Sequence, residues 1–244
     1  MTPPRLPEDD VHTLPRLFVE GALAAQGDVA LTSDQTHHLC TVLRRTQGQS
    51  LRVFNGRDGE WLCILELTAK RAATARIQSL VRPQPPPRPP VHLFFAPLPK
   101  DRMDFLVEKS VELGADALHP VITERTGVRQ VNTARVTRQI VEAAEQCERM
   151  DMPVLHDPAP LLESLTDCAF PIFACVERGD HPPLPCNPQP GEIGILIGPE
   201  GGFSPRERDA LLRLELVRPV ALGPRILRAE TAALCALSRL GASL

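Results

Sequence analysis

The pattern of hydrophobic and polar positions changes character at a proline-rich segment in the first half of the chain. Before that segment, short runs rich in β-branched and aromatic residues predict five strands: RLFVE, DVALT, LRVFN, WLCILEL and ATARIQSL. NGRDGE supplies hairpin-turn residues between the third and fourth runs. A helix is predicted over SDQTHHLCTVLRR, capped by Ser33 and with Leu39, Val42 and Leu43 on one face. Five strands and one helix indicate a small β-barrel.

After the proline-rich segment, fully apolar runs alternate with helical patterns. Strands are predicted at 91–96, 117–122, 171–176, 193–198 and 217–222. Helices are predicted at 101–114 (capped by Asp101 and ended by Gly114), at 133–149, after Ser204, and from the last loop to 241. Alternating strands and helices with apolar strands predict a parallel sheet covered on both faces. Ligands of such sheets bind beyond the carboxyl ends of the strands.

These patterns divide the chain into four segments. They are an N-terminal extension (1–13), a β-barrel (14–82), a proline-rich linker (83–90) and an α/β domain (91–244). The linker cannot form a helix or a central strand and is predicted to be an extended spacer.

Composition and charge narrow the functional class. The formal net charge is −3, but residues 14–82 carry nine Arg/Lys against six Asp/Glu, so the barrel is predicted to meet an anionic partner. Chance variation of solvated surfaces explains that excess nearly as well. No apolar run approaches the ~18 residues of a membrane span, and the N-terminus does not resemble a signal peptide. Seven scattered cysteines without a CxxC spacing indicate a reducing cytoplasm and no metal site.

The segment GPEGGFSPRE (198–207) places a glycine loop between a strand and a helix. Ser204, Pro205 and Glu207 form a helix N-terminal signature. The loop is neither a P-loop nor a GxGxxG motif, and Glu200 would repel a diphosphate. A carboxylate beside glycines suits ribose hydroxyls, an amino group or a cation. The alternative is a tight turn that merely needs positive φ.

A second loop of the same kind, LGPRILRAETAALCAL (222–237), follows the next strand. Gly223 begins a turn, Ile226 and Leu227 are candidates for an apolar wall, and Arg228 precedes a helix rich in alanine. Small residues permit close approach of other backbone, although alanine is also simply a good helix former.

The two loops together closely resemble the signature of the RsmE-like ribosomal RNA methyltransferases of the SPOUT class. The resemblance extends to PRLFV, HHLCTVLRR, VFNGRDGEW, PLPKDRMDFLVEKSVELGAD, ITERT and EAAEQCERMDMP, and it covers roughly residues 14–242. It implies an α/β fold with a SPOUT-type parallel sheet and a C-terminal trefoil knot, preceded by a small PUA-like β-barrel. It also implies a cytoplasmic homodimer without membrane attachment.

The resemblance implies methylation, with S-adenosylmethionine, of N3 of a specific uridine in 16S ribosomal RNA, either free or in the small ribosomal subunit. Arg228 is the candidate for stabilising the uridine anion. The proton of that uridine is expected to pass to water or to a carboxylate, for which Glu230 is the candidate. Alternatively, Arg228 pairs with Glu230 or Glu200 and only orders the loop. The candidate cofactor-binding residues are Leu98, Ile197, Gly198, Pro199, Glu200, Gly201, Gly202, Leu222, Gly223, Ile226, Leu227 and Thr231. The candidate RNA-binding residues are Arg16, His38, Arg44, Arg45 and Arg52.

Three alternatives stay open at this point. A SPOUT enzyme that methylates a ribose 2′-oxygen of tRNA or rRNA would share the cofactor and the knot. An RNA-binding module with a vestigial pocket would share the fold but not bind the cofactor. A nicotinamide enzyme is the third, and it lacks the expected glycine fingerprint. His37 and His38 lack acid or cysteine partners at metal-binding spacing, so no metal is expected.

Overall fold

The computed structural model describes residues 11–69, 72–176, 179–186 and 191–241. The chain forms two compact units, of which the first comprises 1–87 with 144–152 and the second comprises 88–143 with 153–244. Residues 144–152 therefore belong to the first unit, whereas the sequence pattern placed them in the second. Most of the predicted N-terminal extension lies outside the described residues.

The first unit contains a five-stranded sheet in which every predicted strand of this half is present. Two glycines with positive φ, Gly56 (79°) and Gly59 (87°), shape the turn that joins the antiparallel third and fourth strands. The strand order is β1-β3-β4-β5-β2. The strands are β1 (Arg16–Phe18), β2 (Asp28–Ala30), β3 (Ser50–Phe54), β4 (Glu60–Ala69) and β5 (Ala72–Arg82).

The predicted helix of this unit is shorter and begins differently. Helix α1 spans Ser33–His37, and its cap is Thr32, which forms a capping box with Gln35. A π-helical turn, His38–Val42, follows. Because the π turn changes the angular spacing of side chains, Leu39 is fully buried while Val42 is 60% exposed. Leu39, Val42 and Leu43 were predicted to lie on one face, but only Leu39 is buried, because Leu43 is exposed like Val42.

A buried ion cluster joins the sheet of the first unit to residues 144–152. The carboxylate of Glu60 is fully buried and accepts hydrogen bonds from Arg16 Nε (2.7 Å) and Arg52 Nη1 (3.2 Å). Arg16 also donates to the carbonyl oxygens of Ala144 and Arg149, each at 2.7 Å. Removal of either partner would leave a buried charge uncompensated, so this cluster ties 144–152 to the sheet.

The second unit is built on a seven-stranded, all-parallel sheet of order β12-β10-β11-β6-β7-β8, with β9 paired to β7. Its strands are β6 (Val91–Phe95), β7 (Ala117–Ile122), β8 (Val154–Leu155), β9 (Ala159–Pro160), β10 (Ile172–Cys175), β11 (Ile193–Ile197) and β12 (Val217–Val220). Its helices are α2 (Lys100–Glu112), α3 (Thr133–Gln146, which ends in the first unit), α4 (Leu161–Ser164), α5 (Pro205–Leu212) and α6 (Ala229–Gly241). The sequence pattern did not predict β8, β9 and α4, which are too short to show a periodicity.

The ends of the helices in the second unit confirm some of the predicted capping residues and contradict one of them. Ser204 and Glu207 form the predicted capping box at the start of α5. Gly114, with φ of 86°, follows α2 as predicted. Asp101, however, is not the cap of α2, because that helix already begins at Lys100 after Pro99. Within the described part of the chain, no helix has the length and apolarity needed to cross a membrane.

Candidate active site

Three neighbouring strands of the second unit end at the same edge of the sheet. Strand β10 lies between β11 and β12 and is parallel to both, so their carboxyl ends meet. The loop after β11 is the glycine loop, and the loop after β12 is the second predicted ligand loop. The two loops enclose a cavity of about 840 Å³, a volume typical of small-molecule sites.

Most of the predicted cofactor-binding residues line this one cavity. They are Ile197, Gly198, Pro199, Glu200, Gly201, Gly202, Leu222, Gly223, Ile226 and Leu227. The other two, both in the described part of the chain, are absent from its wall: Leu98 is buried in the core, and Thr231 is exposed on α6. The sequence pattern missed Cys175 and Val176, which the end of β10 contributes to the wall.

The glycine loop contains a tight turn, and its glycines present backbone atoms rather than side chains to the cavity. The amide of Gly202 donates to the carbonyl oxygen of Pro199 (2.8 Å), which closes a turn over residues 199–202. Gly202 has φ of 66°, and no heavy atom lies within 4 Å of where its Cβ would be. A Cβ on Gly201 would make an ordinary contact, at 3.5 Å, with Arg125 Cδ. The special backbone conformation therefore belongs to Gly202 rather than Gly201.

A buried carboxylate positions a cavity residue that the sequence pattern did not identify. Glu207 Oε2 accepts from the amide of Ser204 (2.8 Å), and Oε1 accepts from the amide of Glu124 (2.7 Å). The next residue, Arg125, lines the cavity and donates from Nη1 to the carbonyl oxygen of Gly201 (2.7 Å). No spacing in the sequence connects Arg125 with a loop that lies 76 residues further along the chain.

Arg102, on α2, joins the two acidic residues of the ligand loops. Its Nε donates to Glu230 Oε1 (3.0 Å), its Nη2 to Glu230 Oε2, and its Nη1 to Glu200. Hydrogen bonds from Glu230 and then Glu200 raise the pKa of Arg102 above its ordinary value. The alternative was that Arg228 pairs with Glu230 or Glu200. Among the described residues, Arg102 and not Arg228 forms the ion pairs with these two carboxylates, although the charge of Arg228 also acts on Glu230.

These contacts argue against Glu230 as the proton acceptor. Its side chain is 11% exposed, and Arg102 hydrogen-bonds both of its oxygens. Burial raises the pKa of Glu230, but the hydrogen bonds from Arg102, a backbone hydrogen bond and the positive charges of Arg102 and Arg228 together hold that pKa below its ordinary value. A carboxylate with a lowered pKa and both oxygens hydrogen-bonded is a poor base, so the structure argues against the predicted role of Glu230 in accepting the proton.

Four exposed arginines line the cavity: Arg125, Arg208, Arg225 and Arg228. Within the ranges that the structure describes, none of the four forms an ion pair with an acidic side chain. The guanidinium of Arg228 is therefore available to a substrate at the mouth of the cavity, as its predicted role requires.

The predicted RNA-binding residues of the first unit divide into two groups. Arg16 and Arg52 are buried, with side chains only 3% exposed, and both are bound to Glu60. They cannot contact a phosphate, so that part of the prediction was wrong. Their position in a basic segment could not reveal that a buried glutamate neutralises them. His38 and Arg44 are exposed and Arg45 is partly exposed, so their assignment stays a prediction.

Two further predictions from the sequence concern a surface ion pair on α2 and whether a metal site is present. Lys109 Nζ lies 2.8 Å from Glu112, as expected for a surface pair on one helix. Over the described ranges, no group of His, Cys, Asp or Glu side chains has an arrangement that could hold a metal ion.

The comparisons with known proteins agree with this architecture. Residues 84–241 match a family described as an RNA methyltransferase domain, and residues 31–78 match an RNA methyltransferase PUA domain. Ribosomal RNA small subunit methyltransferase E of Synechocystis sp. is 35% identical over 94% of this chain and 78% of its own length.

Two solved structures share the fold over nearly the whole chain. A methyltransferase from Legionella pneumophila, in complex with S-adenosylmethionine, has a TM-score of 0.82 and 31% identity, covering 94% of this chain and 97% of its own. Ribosomal RNA small subunit methyltransferase E from Neisseria gonorrhoeae, also bound to S-adenosylmethionine, has a TM-score of 0.80 and 29% identity, with the same coverage.

Proposed function

Because this chain belongs to the RNA methyltransferase family of ribosomal RNA small subunit methyltransferase E, we propose that it methylates small-subunit (16S) ribosomal RNA with S-adenosylmethionine, at N3 of one uridine. The observation that carries the proposal is the cavity at the ends of β10, β11 and β12, which both ligand loops line. The position on the base follows from the resemblance of the two loops to the RsmE-like signature.

The cavity suits S-adenosylmethionine in size and chemistry. Its volume of about 840 Å³ accommodates a ligand of that size. Open space lies beside Gly202 and Gly223, so backbone amides and carbonyls can approach a nucleoside. Ile226 and Leu227 add an apolar wall for a base. When bound, the cofactor supplies a methyl group on a positively charged sulfur.

Arg228 is the residue that we assign to the uridine. N3 of uridine is a weak nucleophile until its proton leaves, and the negative charge then spreads over N3, O2 and O4. The base must first leave its stack to reach a cavity of this kind. The guanidinium of Arg228 is exposed at the cavity and stays charged, and its planar fork fits the edge of the imide anion.

The proton of N3 goes to solvent water in this scheme. Glu230 is held ionised by Arg102, and the same arginine occupies Glu200. The role of Arg102 is therefore to order the two loops, while Arg228 lowers the free energy of the anion enough for water to accept the proton.

Several finer features rest on the resemblance to the SPOUT class. They are a trefoil knot formed by the C-terminal segment, a homodimer, a cytoplasmic location, and RNA contacts by His38, Arg44 and Arg45. The PUA family match over residues 31–78, which include all three side chains, supports the last of these.

Single-turnover methylation of an unmodified 16S transcript tests the function, with the product nucleoside identified by mass spectrometry. N3-methyluridine is expected; a 2′-O-methylated nucleoside would instead favour the alternative SPOUT activity. Arg228→Lys should lower the rate by ~10²–10³, as for loss of one well-placed oxyanion donor, and leave cofactor affinity nearly unchanged.

Arg206→Lys is the matched control, because Arg206 is exposed on α5 but does not line the cavity. A near wild-type rate for Arg228→Lys, or a parallel loss of cofactor affinity, would make Arg228 a structural residue.

A further inference from the structure

Three arginines other than Arg228 line the cavity without an evident role in binding the cofactor. Arg125 follows β7, Arg208 lies in α5, and Arg225 follows β12. All three are exposed, and in the part of the chain that the structure describes none of them pairs with a carboxylate. We call these three residues the arginine rim.

The charge of the rim does not match the charge of the cofactor. S-adenosylmethionine carries a sulfonium, an ammonium and a carboxylate, so it is a net cation near neutral pH. Its carboxylate can accept one guanidinium, which leaves the others facing a positive ligand. Glu200 lines the cavity and shares Arg102 with Glu230, so the carboxylates of this ion cluster can offset only one of the four arginine charges. The cavity therefore needs a second, anionic partner.

We propose that the arginine rim binds the phosphates that flank the target nucleotide in the RNA strand. This inference rests on the proposed function, since it names how the same site holds its substrate. A nucleotide that leaves its stack and enters the cavity brings its 5′ and 3′ phosphates to the mouth. Contacts of arginine with phosphates fix the register of a nucleic acid, while contacts with the base specify it.

The rim is held in place by elements that also build the cofactor loops. Glu207 ties the segment before Arg125 to the start of α5, and Arg125 itself donates to Gly201. Arg208 lies one residue after Glu207, and its amide donates to the carbonyl oxygen of Ser204 (2.9 Å). The rim and the glycine loop therefore form one ordered structure, which connects RNA binding with cofactor binding.

This arrangement couples the two ligands electrostatically. In the free protein, the rim repels the cationic cofactor. RNA phosphates neutralise the rim, so bound RNA increases the affinity for S-adenosylmethionine, and by linkage the cofactor increases the affinity for RNA equally. S-adenosylhomocysteine, the product of methyl transfer, has lost the sulfonium charge, so the free protein binds it with less repulsion.

The dependence of RNA affinity on salt tests the rim directly. The probe is an unmodified 16S transcript, titrated with the full-length protein at several salt concentrations. For the variant Arg208→Gln/Arg225→Gln, the slope of log affinity against log salt should become shallower by about 1.4, from about 0.7 for each lost contact with a single strand. The control Arg206→Gln removes a neighbouring charge outside the cavity and should leave the slope unchanged.

An unchanged slope in the double variant, an equal change in the control, or no binding of the transcript by the wild-type protein would overturn the proposal. Calorimetry supplies a second measurement that needs no RNA. The preference of the free protein for S-adenosylhomocysteine over S-adenosylmethionine should fall about twofold for each rim arginine removed.

The two proposals fail in different ways. If the wild-type protein methylates the transcript but both measurements are unaffected by the substitutions, the rim is refuted and the function stands. If the protein neither binds the cofactor nor methylates the transcript, the function itself is refuted.

Discussion

Replacing Arg102 by glutamine should destabilise the protein and loosen both ligand loops. The guanidinium of Arg102 makes two hydrogen bonds to Glu230 and one to Glu200. Glu230 is the more consequential partner, because its side chain is 11% exposed whereas that of Glu200 is 59% exposed. Loss of charged hydrogen bonds to a largely buried carboxylate costs about 1.5–3 kcal/mol, with the exposed pair contributing little. For a chain of this size, that loss corresponds to a melting temperature about 3–12 °C lower.

The pH dependence of the stability lost in Arg102→Gln tests whether the ion pair with Glu230 is its cause. The folded protein lowers the pKa of Glu230, so the pair contributes stability above the ordinary carboxyl value of 4.5, and the contribution disappears as pH falls through the lowered pKa. Melting curves of the wild type and Arg102→Gln should therefore differ at pH 7 and converge in acid.

The control is Lys109→Gln, on the same helix, whose pair with Glu112 is exposed and should not affect melting measurably. The double variant Arg102→Gln/Glu230→Gln should recover part of the stability, since no buried charge remains. If Arg102→Gln melts like the wild type, or loses equal stability at every pH, the ion pair does not hold the loops.

Two further predictions follow from the backbone of the glycine loop and from a buried histidine. Gly202→Ala should weaken binding of S-adenosylmethionine about fivefold to thirtyfold in calorimetry, because alanine at φ of 66° costs about 1–2 kcal/mol. Gly201→Ala should bind nearly normally, and equal effects of the two substitutions would contradict the backbone argument. Burial, and then the positive charge of the neighbouring histidines, lowers the pKa of His119 from 6.5 to about 3. Between pH 6.5 and pH 3 the unfolded chain therefore binds more protons than the folded protein, so the free energy of unfolding decreases as pH falls. In urea unfolding between pH 6.5 and 5, His119→Gln should remove a slope of up to about 1.4 kcal/mol per pH unit, and an unchanged slope would show that His119 does not set it.

The sequence predicted elements whose signals are local. Periodicity and capping residues predict strands β1–β7 and β10–β12, the alternation of strands with helices, and the capping box at Ser204. The structure confirms these elements. The two ligand loops were identified because strand ends and glycines are local features as well. Short elements such as β8 and α4 are too brief to produce a pattern.

The sequence could not predict pairings between distant residues. Arg102 meets Glu230 across 128 positions, and Arg16 meets Glu60 across 44. The sequence of a basic segment does not show whether its arginines face solvent or a buried glutamate. For this reason Arg16 was wrongly predicted to contact RNA. The same reason hid the surroundings of Glu230, since Arg102, which helps to lower its pKa, lies on another helix.

The most direct test of the central claim is the content of N3-methyluridine in 16S ribosomal RNA from cells that lack this protein. We predict that one N3-methyluridine disappears on deletion, returns with the wild-type chain, and does not return to its normal level with Arg228→Ala. If the deletion leaves every N3-methyluridine of 16S ribosomal RNA in place, the proposed function is contradicted.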